Sequence, residues 1–261
     1  MPMDDYNQFV EKIRKKTGID LSLYKEAQMK RRLTSLRDKR NFKTFNDYFE
    51  SMTKDQELFE EFLQRMTINV SEFFRNPQRW DVLETVILPR LMKESSKLKV
   101  WSAACSTGEE PYSLVMLLRK YLSDRQFDVT ATDLDQSILD RAIKGFYPER
   151  SIKDVPKDML TKYFHIDKMG YKVTDDVKNQ IRFRRHNLLA DSYDKGFDLI
   201  VCRNVMIYFT EQAKEEIYMN FSRALKPGGV LFVGSTEQIF NPQRFGLEAE
   251  QTFFYKKIKE V

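Results

Sequence analysis

The sequence predicts an α/β fold built on a parallel sheet, with a small all-α module in front of it. Three observations carry this. Apolar residues in the first 70 positions recur at helical spacing and show no strand pattern. From residue 98 onward, apolar strands alternate with amphipathic helices, as βαβ units do. A stretch at 147–185 interrupts that alternation with short strand candidates. The length, 261 residues, suits one large domain plus a small one. The boundaries are set at 1–68 for the helical module and 69–261 for the sheet domain, with 147–185 as an insertion.

In the helical module, Tyr6, Phe9, Val10 and Ile13 fall at i, i+3, i+4 and i+7, and Gly18 supplies a stop. A second helix over about 25–40 has a narrow apolar stripe of Met29, Leu33 and Leu36. Lys30 and Arg37 flank that stripe on one side, Arg32 and Lys39 on the other, and Arg31 points away. Phe45, Tyr48 and Phe49 predict a third helix, and Leu58, Phe59, Phe62, Leu63 and Met66 a fourth. At the module's edge Ser71 reads as an N-cap or part of a hinge. Asn76-Pro77 then reads as an N-cap with proline in the first turn. Trp80, Leu83, Ile87 and Leu91 continue that helix, which Pro89 should kink or divide.

Strands are expected at 98–104, 127–132, 197–202 and 230–234. Helices are expected over about 110–121, from Ile138 to a stop at Gly145, and over about 211–225. Lys226-Pro227-Gly228-Gly229 reads as a tight turn, and 245–256 as two closing strands. Inside the insertion, 162–166, 170–174 and 180–185 are expected to pair as a small antiparallel sheet.

Composition excludes several functions. No apolar run approaches the roughly 18 residues of a membrane span. The acidic start, Met1-Pro2-Met3-Asp4-Asp5, lacks the apolar region of a secretion signal. Two cysteines make no disulfide scaffold, so a reducing cytoplasm is expected. His165 and His186 fit no zinc spacing, and no metal site is expected. The net charge of +5 is unevenly spread. Residues 12–43 hold twelve Lys/Arg against three acids, a net of +9, and residues 44–72 hold two against seven, a net of −5. Such a field suits nucleic acid, anionic lipid or an acidic protein surface, or is simply a solvated helix face.

An open α/β sheet binds ligands outside the carboxyl ends of its strands. After the first strand comes Ala104-Cys105-Ser106-Thr107-Gly108-Glu109-Glu110-Pro111, small residues leading into a helix. It lacks GxGxxG, and its two acids would repel a pyrophosphate but attract a cation. S-adenosylmethionine, with an ammonium and a sulfonium, fits that charge pattern better than NAD. After the second strand, Asp133 is placed to accept ribose hydroxyls and Asp135 to cap the next helix. Asn187 could read an adenine edge or serve only as a turn residue. After the 197–202 strand comes Arg203-Asn204-Val205-Met206-Ile207-Tyr208-Phe209. An Arg-Asn pair there is costly to bury without partners, which points to a cleft. It lacks the Asn/Asp-Pro-Pro-aromatic turn of base amino-methyltransferases and the Pro-Cys nucleophile of cytosine-C5 enzymes. Cys105 and Cys202 read as small buried residues.

Taken in order, these stretches resemble the CheR family of chemotaxis receptor methyltransferases. The resemblance rests on Asn-Val-Ser-Glu-Phe-Phe-Arg from Asn69 to Arg75 and Trp-Ser-Ala-Ala-Cys-Ser-Thr-Gly-Glu-Glu-Pro-Tyr-Ser from Trp101 to Ser113. It continues through Ala-Thr-Asp-Leu-Asp from Ala131, Cys-Arg-Asn-Val-Met-Ile-Tyr-Phe from Cys202, and Leu-Lys-Pro-Gly-Gly from Leu225. Together they span nearly the whole chain.

The resemblance implies a Rossmann-like S-adenosylmethionine-binding domain with an inserted antiparallel β-subdomain, behind a helical receptor-recognition domain. It implies transfer of a methyl group from S-adenosyl-L-methionine to glutamate side chains on the cytoplasmic helices of chemoreceptors, leaving S-adenosyl-L-homocysteine. By motif matching, the cofactor would touch Asn69, Ser71, Arg75, Glu109, Asp133, Asn187, Leu188, Arg203 and Asn204. Arg75 and Tyr208 would lie nearest the methyl group. Members that dock on a receptor's C-terminal pentapeptide carry a Gly-x-Gly-x-x-x-Gly turn in the insert, whereas the matching stretch at 164–173 has only Gly170. No pentapeptide tether is therefore expected. Recognition falls to the helical module, with Lys30, Arg31, Arg32, Arg37 and Arg40 as substrate contacts. A cytoplasmic monomer recruited to receptor clusters is expected, with no nucleic-acid partner and no membrane insertion.

The residues agree with that chemistry. A glutamate carboxylate, with a pKa of about 4.3, is already ionised at neutral pH and needs no base to attack a sulfonium methyl. The missing His or Cys catalytic pair follows. Positioning and exclusion of water should do the work. Arg75 is suited to orient the carboxylate by a charge-assisted bond, and Tyr208 to donate a hydrogen bond.

Overall fold

A computed structural model describes residues 4–67 and 71–258. Four helices open the chain. α1 (Asp5–Thr17) stops at Gly18, whose left-handed φ of 74° lets its N–H reach the Arg14 carbonyl. α2 (Glu26–Lys39) follows. α3 (Phe45–Met52) is capped by the Thr44 hydroxyl, which accepts from the Asp47 N–H, and α4 (Gln56–Met66) by Asp55, which accepts from Glu57 and Leu58. The predicted aromatic positions form the module's core. Phe9 lies 5.1 Å from Phe45, 6.1 Å from Tyr48 and 6.0 Å from Phe62, ring centre to ring centre.

The module is stitched to the sheet domain by backbone. Tyr24 forms an isolated antiparallel bridge with Phe209. The Lys25 N–H donates to the Tyr208 carbonyl, and the Thr210 N–H to the Leu23 carbonyl, both at 2.9 Å. The helical core accordingly runs on into one face of the sheet.

α5 (Pro77–Val82) and α6 (Leu88–Glu94) are the two halves of the helix that Pro89 was expected to divide. A π-helical segment, Leu83–Ile87, joins them, and the Leu88 N–H reaches back five residues to the Leu83 carbonyl. Proline offers no N–H and crowds the turn before it, so the ladder widens there.

The remaining elements are β1 (Leu98–Ala103), α7 (Glu109–Leu118), β2 (Phe127–Asp133), α8 (Gln136–Lys144), β3 (Phe146–Tyr147), α9 (Lys157–Tyr163), β4 (Phe164–Asp167), β5 (Gly170–Val173), α10 (Asp175–Lys178), β6 (Ile181–Arg185), β7 (Phe197–Cys202), α11 (Glu211–Ala224), β8 (Leu225–Val233), β9 (Leu247–Gln251) and β10 (Phe254–Lys257). The main sheet runs β6-β2-β1-β7-β8-β10-β9. It is parallel through β8 and antiparallel at β10 and β9. β1, β2 and β7 are buried almost end to end because helices cover both faces, which explains their unbroken apolar runs. The strand order reverses between β1 and β7, so the switch point opens above their carboxyl ends.

Three expectations are corrected. The strand at 180–185 does not join the small antiparallel sheet. As β6 it pairs parallel with β2 at the edge of the main sheet, and the small sheet takes Phe146–Tyr147 as its third strand, in the order β3-β5-β4. Its hydrophobic pattern suits either neighbour, and only the chain path decides. Lys226-Pro227-Gly228-Gly229 is a bulge inside β8, not a turn. Phe197 pairs with Leu225 but Leu199 with Val230, so three extra residues loop out on the β8 side. Glycine is required there, since a Cβ at Gly229 would sit 2.8 Å from the Phe197 carbonyl oxygen. Ser71 caps no helix, because 71–76 is irregular. Among the described residues no helix is long and apolar enough to cross a membrane.

Candidate active site

A cavity opens at the switch point. The turns after β1, β2, β6 and β7, the 71–75 loop and part of the helical module wall it.

The first segment follows β1. Ala104 and Ser106 have φ of 58° and 51°, and Gly108 has φ of 95°. A side chain at Gly108 would meet the Ala142 Cβ at 2.9 Å, so glycine lets α7 and α8 approach. The turn is pinned by Cys105 N–H to the Thr132 carbonyl and by Ser106 N–H to Asp133 Oδ2, both at 2.9 Å. Asp133 also accepts the Asp135 N–H at 3.1 Å. It lines the cavity at 6% exposure, and burial pushes its carboxyl up to about 6 against these two N–H donors. Asp135 caps α8 as expected.

The second segment is 71–76. Phe73 and Phe74 are buried, and their backbone N–H groups donate to the Ser151 carbonyl and to Ser113 Oγ, each at 3.0 Å. The two rings thus root the loop on either side and leave Arg75 on the cavity wall. The Arg75 carbonyl accepts from Trp80 Nε1 at 3.1 Å and from Arg203 at 2.7 Å. Phe74 and Asn76, with φ of 49° and 62°, carry the strain of this path.

The third segment follows β7. Arg203 is buried against the Phe232 ring, 4.8 Å from guanidinium carbon to ring centre, and lies 3.6 Å from Glu110. It also donates to Asn76 Oδ1 at 3.1 Å. Burial lowers its pKa, and the Glu110 charge opposes that. Tyr208 lies on the same wall, with its hydroxyl pKa raised by burial.

Ser71, Arg75, Asp133, Asn187, Leu188, Arg203, Asn204 and Tyr208 therefore meet at one cavity. Asn69 lies outside the described residues. Glu109 is the exception. Its carboxylate accepts from Thr107 at 2.7 Å and from Ser71, and it faces a separate pocket beside Tyr147. The acid on the cavity is Glu110, held by Ser102 Oγ at 2.8 Å, with its pKa raised by burial. Which of two adjacent acids faces a ligand depends on where the first helical turn begins, and the sequence leaves that open. Asn187 spends its carbonyl on the Leu189 N–H at 2.9 Å. Both thiols are buried and their pKa values are pushed up, which suits packing and not attack.

The helical module supplies a further wall through Tyr24, Met66 and Thr67, none of which the sequence placed at the site. Arg32 reaches the same place. Its guanidinium lies 4.8 Å above the Tyr208 ring and donates to the Met66 carbonyl at 3.3 Å. The other cations expected to contact the acceptor differ in what holds them. Lys30 pairs with Asp4 at 2.6 Å, Arg37 with Asp38 at 2.7 Å, and Arg40 with Glu61 at 2.6 Å. Arg31 is exposed and has no ion pair among the described residues.

The donor set fits S-adenosylmethionine. A carboxylate ends β2 and a second acid stands in the first turn of α7, both on one cavity at the switch point.

Comparison with known proteins agrees. Residues 4–67 match the CheR methyltransferase all-alpha domain, and residues 69–254 the CheR methyltransferase SAM-binding domain. The chain is 48% identical over 254 residues to a chemotaxis protein methyltransferase of Listeria monocytogenes, covering 97% of each chain. It is 33% identical to one of Borreliella burgdorferi, covering 90% of this chain and 88% of that one. It is 30% identical to one of Escherichia coli, covering 97% and 91%. With both family domains matched in order around a cavity of this composition, the chain is an S-adenosylmethionine-dependent methyltransferase and belongs to the CheR family.

Proposed function

We propose that the protein methylates glutamate side chains on the cytoplasmic helices of chemoreceptors, working in the cytoplasm as a monomer. The observation that supports this most is the shared cavity. Asp133 and Glu110 lie on the same wall system as Arg75 and Tyr208, and the cationic helix α2 reaches its rim through Arg32. S-adenosylmethionine, when bound, supplies a methyl group on a cationic sulphur that an ionised carboxylate can displace, leaving S-adenosylhomocysteine. Asp133 holds the ribose hydroxyls. Glu110 takes the place that motif matching gave to Glu109 and faces the ligand's ammonium. Arg75 orients the incoming carboxylate through a charge-assisted bond, and Tyr208 donates a second hydrogen bond. The buried loop roots and the module wall keep water out.

Residues 1–68 act as the recognition domain. Of the five cations expected to contact the acceptor, Arg31 is exposed and not committed to an internal ion pair, and Arg32 sits at the catalytic tyrosine. The small sheet supports the absence of a pentapeptide tether, since β4 and β5 turn through Lys168 and Met169 alone, with Gly170 next.

Incubation with labelled S-adenosylmethionine and a receptor cytoplasmic fragment tests the reading. Label on glutamate that mild alkali releases is expected. Alkali-stable label on RNA, or no transfer to any receptor, contradicts it. Arg31→Glu should raise KM for the receptor fragment about three- to tenfold and flatten its dependence on salt, with S-adenosylhomocysteine affinity unchanged. An unaltered salt slope would show that the charge on this face is incidental.

A further inference from the structure

Glu237 lies just beyond β8, and no sequence motif points to it. It is 4% exposed. Its carboxylate accepts the N–H groups of Asn204 and Met206 at 2.7 Å and of Gly234 at 2.8 Å. The Ile207 N–H bonds to it as well. Three of these four donors belong to the one turn that joins Cys202 to Tyr208. Asn204 in that turn is left-handed, with φ of 62°. Gly234 is needed for the same arrangement, because a Cβ there would collide with the Glu237 carboxylate and stand 2.9 Å from the Asn204 nitrogen.

The turn has two ends. At one, Arg203 grips the Arg75 carbonyl at 2.7 Å and Asn76 Oδ1 at 3.1 Å. At the other stands Tyr208. A single carboxylate therefore fixes a rigid piece that holds the Arg75 loop with one hand and presents Tyr208 with the other.

We infer that Glu237 is the positioning residue for methyl transfer, setting the separation of Arg75 and Tyr208 across the cavity without touching acceptor or cofactor. The inference rests on the proposed roles of those two residues. Position matters because misplacing a reacting group by about 1 Å costs on the order of 10²-fold in rate. Glutamine has the same shape but turns one acceptor into an NH2 that faces an N–H. Asp198 offers a comparison. It too is buried, and it takes the Lys99 N–H at 2.7 Å and the Lys226 ammonium at 2.8 Å, but at the end of β7 away from the cavity.

The experiment uses full-length Glu237→Gln, Glu237→Asp and Asp198→Asn. It measures methyl transfer to a receptor fragment, calorimetric affinity for S-adenosylhomocysteine, thermal stability and backbone amide spectra. Glu237→Gln should lower kcat at least about 30-fold while changing S-adenosylhomocysteine affinity less than about threefold. The Asn204 and Met206 amide signals should move upfield as their charge-assisted bonds weaken. Glu237→Asp, which keeps the charge, should recover part of the rate, and it carries the comparison if the glutamine variant does not fold. Asp198→Asn should lose stability but keep kcat within about twofold. A Glu237→Gln enzyme with near-normal kcat overturns the inference. So does a kcat loss that Asp198→Asn reproduces at equal loss of stability. If the unmodified enzyme fails to methylate the receptor, the acceptor assignment falls instead. The amide signals still judge Glu237, and unmoved Asn204 and Met206 resonances overturn its role.

Discussion

Arg75→Ala should lower kcat for receptor methylation by about 10²–10³-fold and leave the fold standing. Both halves follow from which atoms do which job. Several bonds that shape the loop run through its backbone. The Arg75 carbonyl takes Trp80 Nε1 and Arg203, and the neighbouring Phe73 and Phe74 N–H groups take Ser151 and Ser113. Alanine keeps all of these. What it removes is the cation on the cavity wall, the group proposed to orient the anionic acceptor. Thermal denaturation should shift by no more than a few degrees, and S-adenosylhomocysteine should still bind. A variant that transfers methyl groups at a near-normal rate would remove Arg75 from the mechanism.

Asp133→Asn should weaken S-adenosylhomocysteine binding about 30- to 100-fold, the worth of one to two charge-assisted bonds to ribose hydroxyls. It also turns an NH2 toward the Ser106 or Asp135 N–H, which the carboxylate now satisfies. The same residue predicts a pH dependence. Burial raises its carboxyl from the ordinary 3.8 to about 6 in the free protein. Binding that needs the ionised form should be flat above that value and weaken up to about tenfold per pH unit below it. Stability moves the other way. Between 3.8 and about 6 the folded chain holds a proton that the unfolded chain has released. This residue's contribution to stability therefore rises as pH falls through that window and is lost as pH rises through it. Calorimetric ligand titrations between pH 5 and 8 check the first sign, and thermal denaturation between pH 4 and 7 checks the second. Asp133→Asn should abolish this part of the pH dependence, and an unchanged profile would assign the titration to another acid.

Much of the fold was legible because its signals are local. Helical spacing placed α1 to α4, and alternation placed β1, β2, β7 and β8 with their helices. Strand β6 was misassigned because membership of one sheet or another depends on chain path, while the alternating residues of Ile181–Arg185 look alike in either. The bulge in β8 read as a turn because Pro-Gly-Gly signals a break, and only the partner strand shows that pairing resumes beyond it.

In the site, Asp133, Asn187, Arg203 and Asn204 converge because each lies at or just past a strand's carboxyl end, and the 71–76 loop brings Ser71 and Arg75 to them. Motif matching chose Glu109 while Glu110 is the one that lines the cavity, since the two acids are chemically equal and differ only in the side of α7 they face. It did not reveal Tyr24, Met66 or Thr67, which reach the cavity through a backbone bridge between distant segments. Nor did it reveal Glu237, whose partners are backbone groups and leave no side-chain pattern to find.

The central claim is that a sulphur cation and an acceptor carboxylate meet between Arg75 and Tyr208. A crystal structure with S-adenosylhomocysteine tests it most directly. The ribose hydroxyls should lie on Asp133, the ammonium toward Glu110 and the sulphur facing the gap between Arg75 and Tyr208. Ligand density elsewhere, or a sulphur turned away from that gap, would contradict it.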